Sequence, residues 1–306
     1  MATTDIEDLN YTGELFLIGA NQTPLLNMIG GLQGGRNVNG FLFPVAQPWG
    51  LSGASQDTQS EATAAAAGTP TTITRGQDVN TCQIMKYDVE VTYMKQSSTG
   101  VHSGTSRIGN QPVDNELEFQ KAGQLRQAAI NLEFSCFQGA FTTPSVSATN
   151  QKTRGFENAI ATNEVAAAGA TITKALVDSA MQTMAGNGSQ FTNMVMFCNS
   201  FQKTKISDIY GFAPEDRKFG GINIDRILTD FSELGVVWAP QMPTDDIYIV
   251  DLSVVSIAFV PVGGLQTFFT ETGTTAAKRG GFWYLQPGLD YGPEEYHGSI
   301  TGLATA

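Results

Sequence analysis

Few residues of this 306-residue chain have the types and spacing that catalysis or metal binding requires. The two histidines, His102 and His297, lie in predicted loops, and neither has a cysteine or a carboxylate pair nearby at metal-ligand spacing. The sequence also lacks a Gly-x-Ser-x-Gly nucleophile elbow and a zinc-binding cysteine pattern. We therefore predict that the protein is not an enzyme and holds neither a metal ion nor a cofactor.

The three cysteines, Cys82, Cys136 and Cys198, are far apart, odd in number and surrounded by apolar residues. This arrangement argues against a disulfide framework and predicts buried free thiols in a reducing compartment. No basic residue is evident beside Cys136 that would activate its thiol, so we predict a core residue there and not a nucleophile.

The acidic pairs and the glycine-rich stretch that could suggest a binding site have simpler structural explanations. The adjacent acids Asp245-Asp246 and Glu294-Glu295 are typical of solvated turns. The glycine-rich stretch at 30–35 invites a phosphate-loop interpretation, but no Lys-Ser/Thr follows it and no strand-to-helix context surrounds it. We expect no metal or nucleotide site at these positions.

The composition predicts a folded, acidic protein. Hydrophobic residues make up 41% of the chain, and 17 Lys plus Arg against 29 Asp plus Glu give a formal net charge of −12. Such a chain is unsuited to neutralising phosphates, but it can lie beside packed DNA without adhering to it. The N-terminus has no apolar run long enough for a signal peptide or membrane span, so we expect synthesis in the cytoplasm and no membrane partner.

The longest periodic segment, 112–139, predicts one long helix, which we call the spine helix. Asp114 or Asn115 can cap its start, and Gly139 offers a left-handed stop at its end. Phe119 and Phe134 are expected to widen its apolar face. The predicted core positions of the spine helix are Leu117, Leu125, Ala129, Leu132 and Cys136.

Two segments before the spine helix look incomplete by themselves. Residues 1–38 mix short apolar pieces with turns, which is typical of an extended arm that needs a surface supplied by another part or copy of the protein. Residues 39–47 alternate as a strand, and we predict that this strand pairs with the alternating stretch 81–96. The intervening residues are low in large apolar side chains, so 47–95 is predicted to be a long β-hairpin that lies on a neighbouring subunit.

After the spine helix, helical and strand patterns alternate. We predict helices at 173–186, capped by Thr171 or Thr173, and at Ser200–Tyr210, capped by Ser200. Strands are expected at Met194–Cys198, at 222–229 paired with 236–238, and at 246–251, with further strands to 285. The prediction is an α+β body around a central sheet.

The order of these segments, with local sequence matches, resembles the major capsid proteins of tailed phages, which have the Hong-Kong-97-like fold. No single motif carries the resemblance; the ordered set does. The matching stretches are 23–31, 41–49, 80–84, 120–139, Arg154-Gly155, 199–207, 229–231 and 296–298.

The resemblance implies an N-terminal arm at 1–38, an extended loop at 39–97, a peripheral domain with the spine helix at 98–153, an axial domain at 154–290, and a return of 291–306 to the peripheral domain. It also implies that the charged segment 212–221 lies near the centre of a ring of subunits. The expected contacts between copies are Leu25, Leu26, Ile29, Phe41, Phe43, Trp49, Arg75, Ile84, Val89, Val91, Tyr93, Glu215, Asp216, Arg217 and Lys218.

The function implied is a shell of hexamers and pentamers around double-stranded DNA, which is packaged without sequence-specific binding. Scaffolding, portal and decoration proteins are the other expected partners, in a virion assembled in the bacterial cytoplasm. Two alternatives are an encapsulin-like compartment and an α/β enzyme with a nucleotide domain at 171–250. The enzyme is disfavoured because no glycine fingerprint follows a strand there.

Overall fold

A computed structural model of the chain describes residues 17, 19, 21–51, 54–56, 58–66, 68, 72–98, 115–143, 150–210, 217–219, 222–273 and 276–305. Its α-helices, numbered along the chain, are α1 (Pro24–Ile29), α2 (Glu61–Ala65), α3 (Tyr93–Ser98), α4 (Glu116–Gln138), α5 (Phe156–Ala159), α6 (Lys174–Gly186) and α7 (Ser200–Tyr210).

The strands form one seven-stranded sheet, two three-stranded sheets and one two-stranded sheet, which confirms the predicted α+β class. They are β1 (Arg36–Asn37), β2 (Leu42–Ala46), β3 (Asp78–Thr81), β4 (Met85–Thr92), β5 (Glu164–Ala166), β6 (Met194–Cys198), β7 (Arg217–Phe219), β8 (Ile222–Leu228), β9 (Glu233–Trp238), β10 (Ile247–Asp251), β11 (Ser256–Phe259), β12 (Thr267–Thr272), β13 (Lys278–Leu285), β14 (Pro287–Asp290) and β15 (Gly298–Thr301).

The seven-stranded sheet runs in the order β5-β15-β10-β6-β9-β8-β7. All five residues of β6 and of β10 are buried, because both faces of these central strands are covered. Successive side chains of a strand point to opposite faces, and in β6 Val195 and Phe197 enter one apolar cluster while Met194, Met196 and Cys198 enter another.

Helix α6 covers one face of this sheet, and the C-terminal half of the spine helix α4 covers the other. Thr173 caps α6 by accepting a hydrogen bond from the backbone N–H of Leu176, which confirms one of the two predicted caps. Helix α7 has the predicted bounds. Its first turn is capped by Asn199 and not by Ser200, because the Asn199 side-chain oxygen accepts from the N–H of Gln202 at 2.9 Å.

The spine helix begins after Asn115, whose side chain accepts hydrogen bonds from the N–H groups of Leu117 and Glu118. Of its predicted core positions, Leu117, Leu132 and Cys136 are buried, while Leu125 and Ala129 are half-buried. The prediction for two further positions is wrong. Phe119 and Phe134 are exposed, because at about 100° per residue they project away from the band that includes Ala128, Leu132 and Cys136.

Gly139 ends the spine helix for a reason that differs from the prediction. Its φ of −62° is not left-handed. The residue instead allows two backbones to meet, since the N–H of Gly155 donates to the carbonyl oxygen of Gly139 at 2.8 Å. A Cβ at position 139 would strike backbone atoms of Ser135, Thr153 and Gly155. Glycine is therefore required here by close packing.

The predicted partner of the first hairpin strand is also wrong. Strand β2 pairs with β3 at 78–81, whereas β4 pairs along its whole length with β13, which in turn pairs with β12. Strand β4 keeps the predicted alternation, because Val89 and Val91 turn inward and pack with Leu117, Phe269 and Trp283 against the spine helix. This buried face fixes β4 beneath α4 and away from β2.

The C-terminal strand β15 lies in the seven-stranded sheet, parallel to β5 and antiparallel to β10. By its pairing this strand belongs with the segment 154–290. Just before it, His297 lies in a loop, as predicted, but at a fully buried position. Its Nδ1 accepts a hydrogen bond from the N–H of Asp251 at 3.2 Å, so its Nε2 carries the proton that is donated to the carbonyl oxygen of Tyr291.

Burial lowers the pKa of His297 to about 4 from 6.5. The unfolded chain therefore binds a proton in a range where the folded chain does not, and the free energy of unfolding should fall as pH drops from 6.5 to 4, by up to about 3 kcal/mol. We expect the urea midpoint of His297→Gln to lose most of this dependence between pH 6.5 and 5. The control Gly123→Ala, which alters no titrating group, should keep the wild-type slope; equal slopes in both variants would contradict the assignment.

Two glycines of the spine helix region make a matched pair. Gly139→Ala should destabilise the fold by about 1–3 kcal/mol, because the new methyl group meets backbone that has no room to move. Gly123→Ala, at an exposed position with nothing within 4 Å, should stabilise it by about 0.5–1 kcal/mol through helix propensity. Chemical denaturation of both variants checks this, and a neutral Gly139→Ala would rule out the close-packing explanation.

Candidate subunit interface

The segment between β2 and β3, residues 47–77, projects from the body, and we call it the hairpin. Trp49 forms an isolated antiparallel bridge with Arg75, and the N–H of Gly76 donates to the carbonyl oxygen of Pro48 at 2.8 Å. These contacts confirm an antiparallel base for the hairpin. Helix α2 lies farther out, and Ser60 and Thr63 form a capping box at its start.

Every described residue from 49 to 77 is exposed. Three large apolar side chains of the hairpin are prominent, with exposed fractions of 61% for Trp49, 71% for Leu51 and 59% for Ile73. A two-stranded hairpin without an apolar face to cover it is marginally stable in water. The hairpin therefore has the properties of a segment that is completed by contact with something outside its own subunit.

Five predicted contact residues are buried within their own subunit, which corrects the prediction for them. Leu25 and Leu26 lie in the main core, Phe43 in a small cluster with Cys82, and Val89 and Val91 beneath the spine helix. The apolar pieces of the arm and loop do need a covering surface, as predicted. For these side chains the surface is supplied by distant parts of the same chain.

Other predicted contact residues remain accessible. Ile84, Arg75 and Tyr93 are exposed, the last because the chain leaves β4 there and begins α3. Ile29 and Phe41 are half-buried. Trp49, Leu51, Ile73 and Arg75 are all exposed in the hairpin, so we take the hairpin as the candidate interface.

The predicted ring-centre residues are only partly described. Glu215 and Asp216 lie outside the described residues, as does His102. Arg217 and Lys218 belong to β7, which pairs antiparallel with β8 at one end of the seven-stranded sheet. The charged segment 212–221 therefore contains a short strand that extends this sheet.

The residue of the spine helix that sequence reasoning missed is Glu133, which is fully buried. Its two carboxylate oxygens accept hydrogen bonds from the backbone N–H groups of Leu25 and Leu26, at 3.0 and 2.9 Å. Burial raises the pKa of Glu133 to about 8, and the two hydrogen bonds oppose this shift. The available signal was its position beside Leu132 with no Lys or Arg three or four residues away.

The model of the SU10 major capsid protein family matches residues 1–304. The chain belongs to this family. No curated protein sequence matches it.

Solved structures show that this SU10-family capsid protein has the Hong-Kong-97-like fold of phage capsids, although the sequences have diverged widely. The cyanophage A-1(L) capsid is 12% identical, with 99% of each chain covered and a TM-score of 0.63. The capsid of the native GTA particle is also 12% identical, covering 99% of this chain and 97% of its own, with a TM-score of 0.61. The SrpI encapsulin of Synechococcus elongatus PCC 7942 is 9% identical, covering 97% and 94%, with a TM-score of 0.58.

The chemically suggestive side chains of this capsid protein take part in structure. The Glu294 carboxylate accepts from the N–H groups of Ala161 and Thr162, and Asp246 accepts from the N–H of Gly302. All three cysteines are buried and free, and burial raises the pKa of Cys136, which is the opposite of activation. Within the described ranges, no three or more His, Cys, Asp or Glu side chains group together to hold a metal ion.

The described helices of the capsid protein include none with the length and apolar character needed to cross a membrane.

Buried and exposed apolar residues should respond differently to truncation in unassembled subunits. Leu25→Ala should lower the free energy of unfolding by about 2–5 kcal/mol, because it leaves a cavity in the core. Trp49→Ala should change it by no more than about 0.5 kcal/mol, because its side chain contributes nothing to the core of its own subunit. Urea unfolding measures both. A large loss for Trp49→Ala would mean that the hairpin folds onto its own subunit.

Proposed function

We propose that copies of this major capsid protein assemble through the hairpin into hexamers and pentamers that close an icosahedral shell around double-stranded DNA. The observation that carries this proposal is that every described residue from 49 to 77 is exposed, including Trp49, Leu51 and Ile73. A shell needs each subunit to extend over its neighbours, and the hairpin is built for such an extension.

The energetics favour many modest contacts over one strong one. Trp49, Leu51 and Ile73 leave water only when a neighbouring subunit covers them, and each such side chain contributes about 1.5–3 kcal/mol on full burial. Arg75, bridged to Trp49 across the hairpin, adds a charged group that a neighbour can pair. Repeated around a closed shell, small contributions of this kind stabilise the whole particle while single subunits remain soluble.

We propose the following division of labour along the chain. Residues 1–38 form the arm, 39–97 the extended loop, 98–153 the peripheral domain with the spine helix, and 154–290 the axial domain around the seven-stranded sheet. Residues 291–306 close the chain, with β15 paired inside that sheet. The segment containing Glu215, Asp216, Arg217 and Lys218 lies near the centre of the ring of subunits.

The acidic character of the chain supports a container for DNA more than a DNA-binding protein. A net charge of −12 repels phosphates, so the packaged genome is held without sequence-specific contacts. Scaffolding, portal and decoration proteins complete the partners of the shell, which forms in the cytoplasm of the host bacterium. The protein's role is structural and involves no catalysis.

A second candidate is an encapsulin-like compartment that encloses an enzyme, favoured by the similarity to the SrpI encapsulin. The match to a capsid family over residues 1–304 favours the phage shell. Analysis of particle contents distinguishes the two functions: nuclease-protected DNA supports the first, and a co-purified enzyme supports the second.

Removal of residues 55–75 should leave a soluble, folded subunit that does not close shells, because every described residue of this segment is exposed. The measurements are circular dichroism for folding, and light scattering with electron microscopy for particles. Trp49→Ala should also weaken assembly, by about 2 kcal/mol or more per contact between subunits, because we propose that Trp49 carries much of the binding energy of that contact. Leu265→Ala, exposed but outside the hairpin, is the control and should assemble normally. Normal particles from the deletion would refute the mechanism.

A further inference from the structure

The loop between β1 and β2 contains the exposed pair Asn39-Gly40. The main chain is anchored on both sides of this pair. The N–H of Val38 donates to a carbonyl oxygen of β11 at 2.8 Å, and the carbonyl oxygen of Phe41 accepts from the N–H of Cys82 at 2.8 Å. Between these anchors, no described residue forms a hydrogen bond with the Asn39 side chain or with the N–H of Gly40. The two groups can therefore approach each other without breaking a hydrogen bond.

An asparagine followed by a glycine can react with its own backbone. The backbone nitrogen of the glycine attacks the side-chain carbon Cγ, the bond from Cγ to Nδ2 breaks, and the backbone proton leaves with the side-chain amino group as ammonia. Water then opens the resulting succinimide ring at either carbonyl carbon and leaves a carboxylate, as aspartate or as isoaspartate. Glycine favours the first step because it has no Cβ beside the attacking nitrogen and its backbone is unusually free to rotate.

The chain contains one other Asn-Gly pair, Asn187-Gly188, which is also exposed and lies at the end of α6. Here both reacting groups are engaged. The Asn187 side-chain nitrogen donates to Oδ1 of Asn163 at 2.7 Å, and the N–H of Gly188 donates to the carbonyl oxygen of Ala185 at 3.3 Å. Exposure is common to the two pairs, so the hydrogen bonds are what distinguishes them.

We propose that Asn39 is a deamidation site, at which the succinimide formed with Gly40 opens to isoaspartate and aspartate as the protein ages. The basis is the contrast between the two pairs. At Asn39 the attack needs only a rotation of the side chain, whereas at Asn187 two hydrogen bonds must break first. Each conversion at Asn39 replaces a neutral amide by a carboxylate and releases one ammonia.

Isoaspartate at position 39 alters the connection to the hairpin. Its main chain runs through the former side chain, so the backbone gains one methylene group between the anchored residues Val38 and Phe41. Strand β2 begins directly after this loop, and its pairing with β3, in which Leu42 lies opposite Thr81, forms the base of the hairpin. The longer main chain must fit between two fixed points, and this weakens the pairing. The inference does not depend on shell formation.

Peptide mass spectrometry on the full-length, unassembled protein tests the site. Samples are incubated at mildly alkaline pH and digested at mildly acidic pH, and the peptides that contain each Asn-Gly pair are compared over time. We expect conversion at Asn39 to be roughly thirtyfold faster than at Asn187, because two hydrogen bonds hold Asn187-Gly188. In guanidinium chloride the two rates should become similar. Equal rates in the folded protein, or a difference that persists after unfolding, would overturn the proposal.

Two variants make the assignment specific. Gly40→Ala should slow conversion at Asn39 by roughly tenfold, because the added Cβ hinders the attacking nitrogen. This variant should fold, since the nearest atom to that Cβ is the carbonyl oxygen of Leu42 at 3.7 Å, an ordinary contact distance. Asn39→Gln is the matched control and should stay unmodified, because its longer side chain cannot close the five-membered ring. Unslowed conversion in Gly40→Ala would refute the site.

Amide hydrogen exchange measures the effect on the hairpin base. Exchange in β2 should be faster in aged wild-type protein than in fresh protein, while aged Asn39→Gln keeps the fresh profile. Helix α6 serves as the reference in the same samples, because its exchange rises only if the whole subunit unfolds. Unchanged exchange in β2 of protein that carries isoaspartate at position 39 would refute the weakening of the β2–β3 pair.

Discussion

The structure depends on the burial of the C-terminal end of the spine helix against the seven-stranded sheet. Phe137 in the last turn of α4 lies 5.4 Å from Phe197 and 6.4 Å from both Phe156 and Tyr248, measured between ring centroids. The same helix, twenty residues earlier, packs Leu117 beneath the sheet formed by β12, β13 and β4. A rigid rod anchored at both ends sets the spacing between those sheets, so subunits of one geometry can tile a surface.

The base of the hairpin is fixed to the body by a polar side chain. The amide nitrogen of Asn80 donates to the carbonyl oxygens of Leu289 and Arg154 and to the hydroxyl of Thr153, and its oxygen accepts from the N–H of Arg154. Each of these groups is buried or half-buried, so a missing partner would be costly. The hairpin therefore leaves the body in a defined direction, although its described residues from 49 to 77 are all exposed.

The described residues therefore divide into a packed body and an exposed hairpin. The body buries an extensive apolar core within one subunit. In the proposed shell, the hairpin adds contact area after assembly, when a neighbouring subunit covers Trp49, Leu51 and Ile73. The arm is intermediate, because α1 is packed in its own subunit but is attached through the buried side chain of Glu133.

The sequence by itself determined the local features. The spine helix with its Asn115 cap, helices α6 and α7, strand β6, the β8–β9 pair and the alternation of β4 all depend on residues within a few positions of one another. The resemblance in segment order also indicated the family. Only the tertiary structure decided that β4 pairs with β13, that Leu25 and Leu26 are internal, that His297 and Glu133 are buried, and that Phe119 and Phe134 are not. The physical reason is distance along the chain. Periodicity indicates that one face of a helix or strand must be buried. The residue that contacts this face can lie more than a hundred positions away, as Glu133 does from Leu25, and it leaves no local pattern in the sequence.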